Sequence, residues 1–90
     1  MLETDLEILE KILRDLNYAP KYIEMLLSHL VKELDNSTLN SFTPQFIYSA
    51  LSFEEGRNKA REIADYFQEF KEKGSYRTKL QKYLDSKNIQ

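Results

Sequence analysis

Residues 20–34, which read PKYIEMLLSHLVKEL, carry the clearest helical signal in the chain. Apolar side chains recur there three and four positions apart, which places them along one face of an α-helix. Pro20 stands where the first turn would be, a position in which its missing N–H has no helical partner. The stretch therefore predicts an amphipathic helix that packs on a core. Its apolar stripe consists of Ile23, Leu26, Leu27, Leu30, Val31 and Leu34.

A preceding helix is predicted from Asp5 to Leu16. Thr4 followed by Glu7 fits a capping box, in which the two side chains satisfy backbone N–H groups at the start of a helix. Asn17 is a suitable stop for this helix. The apolar positions at helical spacing are Leu6, Leu9, Ile12, Leu13 and Leu16.

A loop and a short helix are predicted after residue 34. The polar cluster DNSTLNS at residues 35–41 indicates the loop. Thr43 and Pro44 would open the third helix, and Phe42 and Ile47 are spaced to form a hydrophobic staple across its cap. The third helix is therefore expected to begin at a well-defined residue.

A long fourth helix and a final helix complete the prediction. Ser52 and Glu55 form a second capping box at the start of the fourth helix, and Gly74 ends it. Ser75 is then placed to cap the final helix. The inner face of the fourth helix is predicted to be Phe53, Ala60, Ile63, Ala64, Phe67 and Phe70. One side of the final helix is predicted to carry Tyr76, Leu80, Tyr83 and Leu84.

No segment has the alternating pattern of a strand, and the whole chain contains one valine. We therefore predict an all-α fold: a compact bundle of four to five helices, of the SAM-like, orthogonal kind. At 90 residues, the chain is expected to be a single helical domain over positions 1–90.

Composition narrows the function classes. There is no cysteine, which excludes a disulfide framework and a thiolate nucleophile. Apolar runs are short and the N-terminal segment is acidic, so we expect a cytoplasmic protein with no membrane span and no export signal. Net charge is −2, which disfavours a dedicated nucleic-acid binder. Residues 1–50 nevertheless carry four basic and eight acidic side chains, whereas residues 51–90 carry nine basic and seven acidic ones.

The single histidine is the main candidate for chemistry. His29 and Lys32 resemble the His-x-x-Lys-Gly motif of phosphotransfer bundles, but Glu33 at the glycine position would repel a phosphate. An exposed helix histidine is the preferred interpretation, and His29 with Glu33 alone does not make a metal site. No nucleophile, base and orienting group can be assembled. We predict no enzyme activity, cofactor, metal or small-molecule substrate.

Aromatic side chains are frequent, with six tyrosines and five phenylalanines. The faces of four tyrosines are not decided by the pattern, although packing is favoured over a partner surface for each of them. They are Tyr48, Tyr66, Tyr76 and Tyr83.

Three segments are similar to a known family. They are YAPKYIEMLLSHL at residues 18–30, FTPQFIY at 42–48 and AREIADYFQEFKEKG at 60–74. Their order and spacing resemble the SAM-like core-binding domain of tyrosine recombinases, the phage integrases. That family shows a Ser-Pro-x-Thr-Ile helix start, then a Thr-Pro-x-x-Ile short helix, then a helix ending in paired aromatics before a glycine. The resemblance implies a helical module that binds duplex DNA.

By position, the resemblance places a basic set on the second and fourth helices against DNA phosphates. The set comprises Lys21, His29, Lys32, Arg57 and Arg61. The chain also departs from the family pattern. Ala64 stands where the family commonly has an arginine, the domain is acidic, and the family's catalytic domain is absent.

The competing class is a small helical protein that binds another protein. Such a chain could be a phage or plasmid inhibitor, an adaptor, or a bacteriocin-immunity-type bundle that recognises its partner through its C-terminal helices. The acidic balance of the sequence favours this class. Duplex DNA and a protein are therefore the two partners that the sequence leaves open, and with the resemblance included we place DNA binding of the recombinase-clamp kind slightly ahead of protein binding.

Overall fold

Five α-helices follow one another along the chain. The structure, a computed structural model, describes the backbone of residues 2–88, and no residue in that range belongs to a strand. The helices are α1 (Leu2–Asp15), α2 (Pro20–Asp35), α3 (Pro44–Glu55), α4 (Arg57–Lys73) and α5 (Lys79–Asn88). The predicted all-α bundle is confirmed.

The first four helices form a closed ring around one core. α1 packs against α2 and α4, and α3 also packs against α2 and α4. Within the described residues, no Cα of α2 lies within 8 Å of a Cα of α4. α2 and α4 are therefore diagonally opposite in the bundle, which matters for any surface that would need both helices.

The core is filled by one stripe from each of these helices. Leu30 of α2 and Phe67 of α4 are among its fully enclosed members. Of the predicted stripe on α2, Leu27 and Val31 are only partly buried. The buried apolar residues are Ile8, Leu9, Ile12, Leu13, Ile23, Leu26, Leu30, Leu34, Phe42, Ile47, Leu51, Ala60, Ile63, Ala64, Tyr66 and Phe67.

Several predicted helix ends are confirmed. Pro20 occupies the first turn of α2. The Thr43 hydroxyl caps α3 by accepting a 3.1 Å hydrogen bond from the Phe46 N–H. Asn17 has φ 68° after α1 and Gly74 has φ 75° after α4, so both adopt the left-handed conformation that ends a helix.

Two predicted caps are wrong. α1 already begins at Leu2, so Thr4 lies inside the helix and the Thr4–Glu7 capping box does not form its start. α5 begins at Lys79 rather than beside Ser75. Its cap is Thr78, whose hydroxyl accepts a 3.2 Å hydrogen bond from the Gln81 N–H. In both places the residues of the cap motif are present in the sequence, but the helix begins at a different residue.

The predicted start of the fourth helix is also wrong. α3 continues through Glu55. The helix ends at Gly56, whose φ of 85° and ψ of 158° are not helical. Ser52 lies within α3 and donates a hydrogen bond to the Tyr48 carbonyl instead of capping a helix. Phe53 is consequently on the outer side of α3, where it is 93% exposed, and does not belong to the core.

The buried carboxylate of the core belongs to Asp5. Its residue is 1% exposed, and its Oδ1 accepts a 2.9 Å hydrogen bond from the Lys71 ammonium on α4. Among the described side chains, no buried nitrogen or oxygen lacks a hydrogen-bond partner. The Asp5–Lys71 ion pair therefore links the start of α1 to the end of α4.

α5 lies outside the ring. Among the described residues, no Cα of α5 comes within 8 Å of a Cα of another helix. The molecule measures 50 × 25 × 21 Å, whereas a helix of 17 residues such as α4 is only about 25 Å long. α5 therefore projects from one end of the bundle. No helix of the described part of the chain is long and apolar enough to cross a membrane.

Candidate functional site

The predicted DNA-contacting residues on α2 point in two directions. Lys21 and Lys32 are exposed and face away from the buried stripe. His29 is only partly exposed, and its Nε2 lies 3.1 Å from the Ala50 carbonyl oxygen of α3. Because a carbonyl oxygen can only accept, Nε2 carries the proton that is donated. The preferred interpretation of His29 as an exposed histidine is therefore wrong: this side chain joins α2 to α3.

The predicted residues on α4, Arg57 and Arg61, are both exposed, and Arg61 contacts α3. The Arg61 guanidinium lies 4.8 Å from the ring centroid of Tyr48, a cation–π contact between α4 and α3. Arg57 is exposed one turn earlier. Arg61 also lines a depression of about 410 Å³ together with Glu62 and Asp65, so its surroundings carry both signs of charge.

The bundle does not bring the five predicted residues together. Lys21 and Lys32 face outward from α2, which is diagonally opposite α4 in the ring. A surface that includes them turns away from Arg57 and Arg61. The assignment of these residues to a DNA interface stays a prediction, and the fold offers it two separate patches rather than one face.

Two tyrosines and a glutamate form a hydrogen-bonded cluster between the α1–α2 turn, α2 and α3. Tyr18 donates a 2.7 Å hydrogen bond to Glu55 Oε1, and Tyr22 donates to Glu55 Oε2. The two rings stack with centroids 5.7 Å apart. Both carboxylate oxygens are thus engaged, and the cluster fastens the end of α3 to the α1–α2 turn. Elsewhere in residues 2–88, no group of three His, Cys, Asp or Glu side chains could hold a metal ion.

Four tyrosine pKa values are raised by the fold. Burial, followed by the hydrogen bond to Glu55, raises the pKa of Tyr18, and the hydrogen bond to Glu55 raises that of Tyr22. Burial, followed by the hydrogen bond to Asp15, raises the pKa of Tyr76. Burial also raises the pKa of Tyr66. These phenols stay protonated in the folded chain at a pH where they would ionise in the unfolded chain.

We expect the free energy of unfolding to fall as the pH rises above about 10, the ordinary tyrosine pKa. The unfolded chain then releases protons that the folded chain retains, so stability is complete below that pH and is lost as the pH approaches the raised values. Urea unfolding followed by circular dichroism at about pH 9 and about pH 11 measures the loss.

The control for alkaline unfolding is the double change Tyr18→Phe with Tyr76→Phe. It removes two of the raised phenols, and it leaves the lysines, which also titrate in this range, unchanged. A smaller pH-dependent loss in this variant attributes the effect to the tyrosines. An equal loss in the variant and in the original chain would contradict the assignment.

A groove runs between α1 and α2. It consists of two depressions of about 550 and 470 Å³ that share Glu24 and Leu27. Its floor is apolar, with Leu6, Leu27 and Val31 only partly buried. In the larger depression, Arg14 is paired with Glu10. Within the described part of the chain Glu24 forms no ion pair, so the middle of the groove carries an unneutralised carboxylate.

The second exposed apolar feature is one face of α5. Leu80 is 67% exposed, Tyr83 55% and Leu84 44%. Their spacing puts all three on the same side of the helix. Several large, exposed apolar side chains on one helix face are typical of an interaction surface.

The position of α5 is fixed at its base. The Tyr76 ring stacks on Tyr66 with centroids 5.3 Å apart, and its hydroxyl donates a 2.6 Å hydrogen bond to Asp15. The Lys79 N–H donates to the Tyr66 hydroxyl at 3.1 Å, and the Lys79 ammonium lies 3.7 Å from Glu62. Tyr66 and Tyr76 are packed, as the sequence favoured. Tyr83 is exposed, contrary to that preference.

The apolar stripe of α2 was predicted to pack on the core, whereas for the final helix the sequence indicated only that Leu80, Tyr83 and Leu84 share one side. The stripe on α5 was visible as Leu80, Tyr83 and Leu84, but periodicity does not reveal whether a neighbouring helix covers a stripe. Phe53 was misassigned for a different reason, because it belongs to α3 and not to α4. No protein-family model, curated protein or solved structure matches the chain.

Proposed function

We propose that this chain is a non-catalytic helical module that binds another protein through α5. The observation that carries the proposal is the uncovered apolar face of α5, formed by Leu80, Tyr83 and Leu84. A helix that lays such a face into an apolar groove is a recurrent mode of protein recognition. Tyrosine and leucine side chains supply buried area in that mode, and Tyr83 adds a hydroxyl for a polar contact.

The way α5 is held supports the same function. Its first turn is tied to α4 through Lys79, and Tyr76 just before it is tied to α1 and α4. The helix is therefore presented in a defined direction, so less freedom is lost on binding than with a loose tail. The cytoplasmic location expected from the sequence remains a prediction.

Duplex DNA binding remains the second candidate. Arg57 and Arg61 favour it, because they lie one turn apart on an exposed side and form no ion pair within the described residues. Against it, Lys21 and Lys32 face away from them, and Glu62 and Asp65 lie beside Arg61. A mixed surface attracts phosphates weakly, because binding follows the number of phosphates neutralised.

Photo-crosslinking tests the protein-binding proposal. A photoreactive phenylalanine analogue replaces Tyr83 in one variant and Gln68, which is exposed on α4, in a matched control. In cells that produce the protein, we expect one discrete crosslinked protein from position 83 and none from position 68. Adding Leu80→Ser with Leu84→Ser should abolish the crosslink, because the partner loses the apolar contact.

Equal crosslinking from both positions, or none from either, would contradict the proposal. Fluorescence anisotropy with a labelled duplex covers the alternative, at about 50 and about 200 mM salt. A salt-dependent affinity whose log–log slope falls by about one to two units in the variant Arg57→Ala with Arg61→Ala would support the DNA clamp instead.

A further inference from the structure

We propose that the partner of α5 is a second copy of this chain, with α5 of each copy lying in the α1/α2 groove of the other. This inference rests on the proposed function and names its partner. The floor of the α1/α2 groove includes Leu6, Leu27 and Val31. It is an apolar trough between two helices, which is the shape that receives an amphipathic helix.

The dimensions of the two elements match. α5 has 10 residues and is therefore about 15 Å long. α2, which forms one wall of the groove, has 16 residues and is about 24 Å long. The two depressions share Glu24 and Leu27, so they form one continuous trough along α2. α5 can lie in this trough along its whole length.

The charges of the two elements are complementary. Lys87 lies on the apolar face of α5, with its ammonium 5.2 Å from the Tyr83 ring centroid. Asp85, the single carboxylate of α5, is on the other side of the helix and is paired with Arg77. Among the described side chains of α5, the face that would enter the groove therefore includes Lys87 and not Asp85. The lining of the groove carries three carboxylates and two cations, with Glu24 at its midpoint, so it has an excess of one negative charge. The carboxylates are Glu10, Glu24 and Asp35, and the cations are Arg14 and Lys32.

The two halves of the chain also differ in charge. Residues 1–50, which supply both groove helices, carry four basic and eight acidic side chains. Residues 51–90, which include α5, carry nine basic and seven acidic ones. The α5 end of one copy can therefore attract the α1/α2 groove of another, although each copy has the same net charge of −2.

The fold also explains why α5 would use the groove of another copy and not its own. Its base is fastened to α4 through Tyr66 and Glu62, and α5 then projects beyond the bundle. In the described chain no Cα of α5 is within 8 Å of a Cα of α1 or α2. A two-fold arrangement repeats the contact, so that each dimer contains two α5–groove contacts.

Sedimentation equilibrium of the purified chain tests this inference, over roughly 1 to 200 μM, a range that brackets micromolar affinity. We expect a reversible monomer–dimer equilibrium. Leu80→Ser with Leu84→Ser should raise the dimer Kd at least about tenfold, because it removes the apolar contact from both halves of the interface. Phe53→Ser is the matched control: it removes an exposed apolar side chain outside both elements and should leave Kd unchanged.

A charge exchange identifies the groove. Glu24→Lys alone should raise Kd, because it places a cation opposite Lys87. Adding Lys87→Glu to the same chain should restore the affinity, because the pair is re-formed with its signs reversed. Circular dichroism on every variant checks that the fold is intact.

A monomer at every concentration would overturn the self-association, as would a dimer whose Kd responds neither to the α5 change nor to the charge exchange. Its failure is distinguishable from failure of the proposed function. If position 83 crosslinks to a different protein while the chain is monomeric, α5 is a binding element whose partner is not a second copy. If position 83 crosslinks to nothing and the chain is monomeric, both proposals fail.

Discussion

Leu30→Ala is expected to lower the free energy of unfolding by about 2–5 kcal/mol. Leu30 is fully buried in the centre of α2, and its side chain fills space that the ring of four helices closes on every side. Alanine would leave a cavity that helices held by several neighbours cannot fill by moving. For a domain of 90 residues this is a large part of the total stability.

Met25→Ala provides the control on the same helix. Met25 is 51% exposed, so its replacement should change the free energy of unfolding by less than about 0.5 kcal/mol. Urea unfolding of both variants, followed by circular dichroism at 222 nm, measures the difference. A loss under about 0.5 kcal/mol for Leu30→Ala would contradict the packing described for α2.

Lys71→Met is expected to lower the free energy of unfolding by about 2–3 kcal/mol. Lys71 donates to Asp5, whose side chain is only 2% exposed, so the change leaves a buried carboxylate without its cation. Breaking a buried ion pair costs roughly 3–5 kcal/mol. We expect a smaller loss because the Lys71 side chain is 45% exposed and its charge is partly screened.

Lys73→Met is the matched control, since Lys73 is an exposed lysine on the same helix and forms no ion pair within the described residues. It should be nearly neutral. Asp5→Asn in the Lys71→Met chain should recover part of the loss, because an uncharged amide is buried at lower cost than an unpaired carboxylate. Equal effects of the two lysine changes in thermal unfolding would show that the Asp5 contact is not a stabilising one.

The helices whose signals are local were predicted well from the sequence. α2 was identified from its stripe and Pro20, and the start of α3 from Thr43, because a cap or a proline acts on the adjacent turn of backbone. Gly74 ended α4 as expected, because its left-handed conformation is favoured by the residue itself.

The helix boundaries that were predicted wrongly depend on competition between neighbouring segments. Ser52 and Glu55 have the residue types of a capping box, but Ile47 and Leu51 are buried as part of α3, and that packing keeps the helix regular through Glu55. The break falls instead at Gly56, where a positive φ involves little strain. Phe53 then takes the exposed side of α3 because a helix turns 100° at each residue.

The candidate site could be predicted only in part. Both apolar features that form it, the stripe on α2 with Leu27 and the stripe on α5 with Leu80, were present as periodic patterns. Whether each is covered depends on which helices lie beside it. The partners of Asp5 and Glu55 were not predictable either, since Lys71 is 66 positions from Asp5 and Tyr18 is 37 positions from Glu55.

The amino-acid sequence by itself determined that this protein is all-α, where α2 and α3 begin, and where α4 ends, because helical periodicity, proline, threonine caps and glycine act over one or two turns of backbone. Only the tertiary structure decided the cyclic order of the four helices. That order separates Lys21 and Lys32 from Arg57 and Arg61, and leaves the faces of α5 and of the α1/α2 groove uncovered. The reason is physical: burial is a property of the space between helices, and a stripe on one helix carries no information about its neighbour.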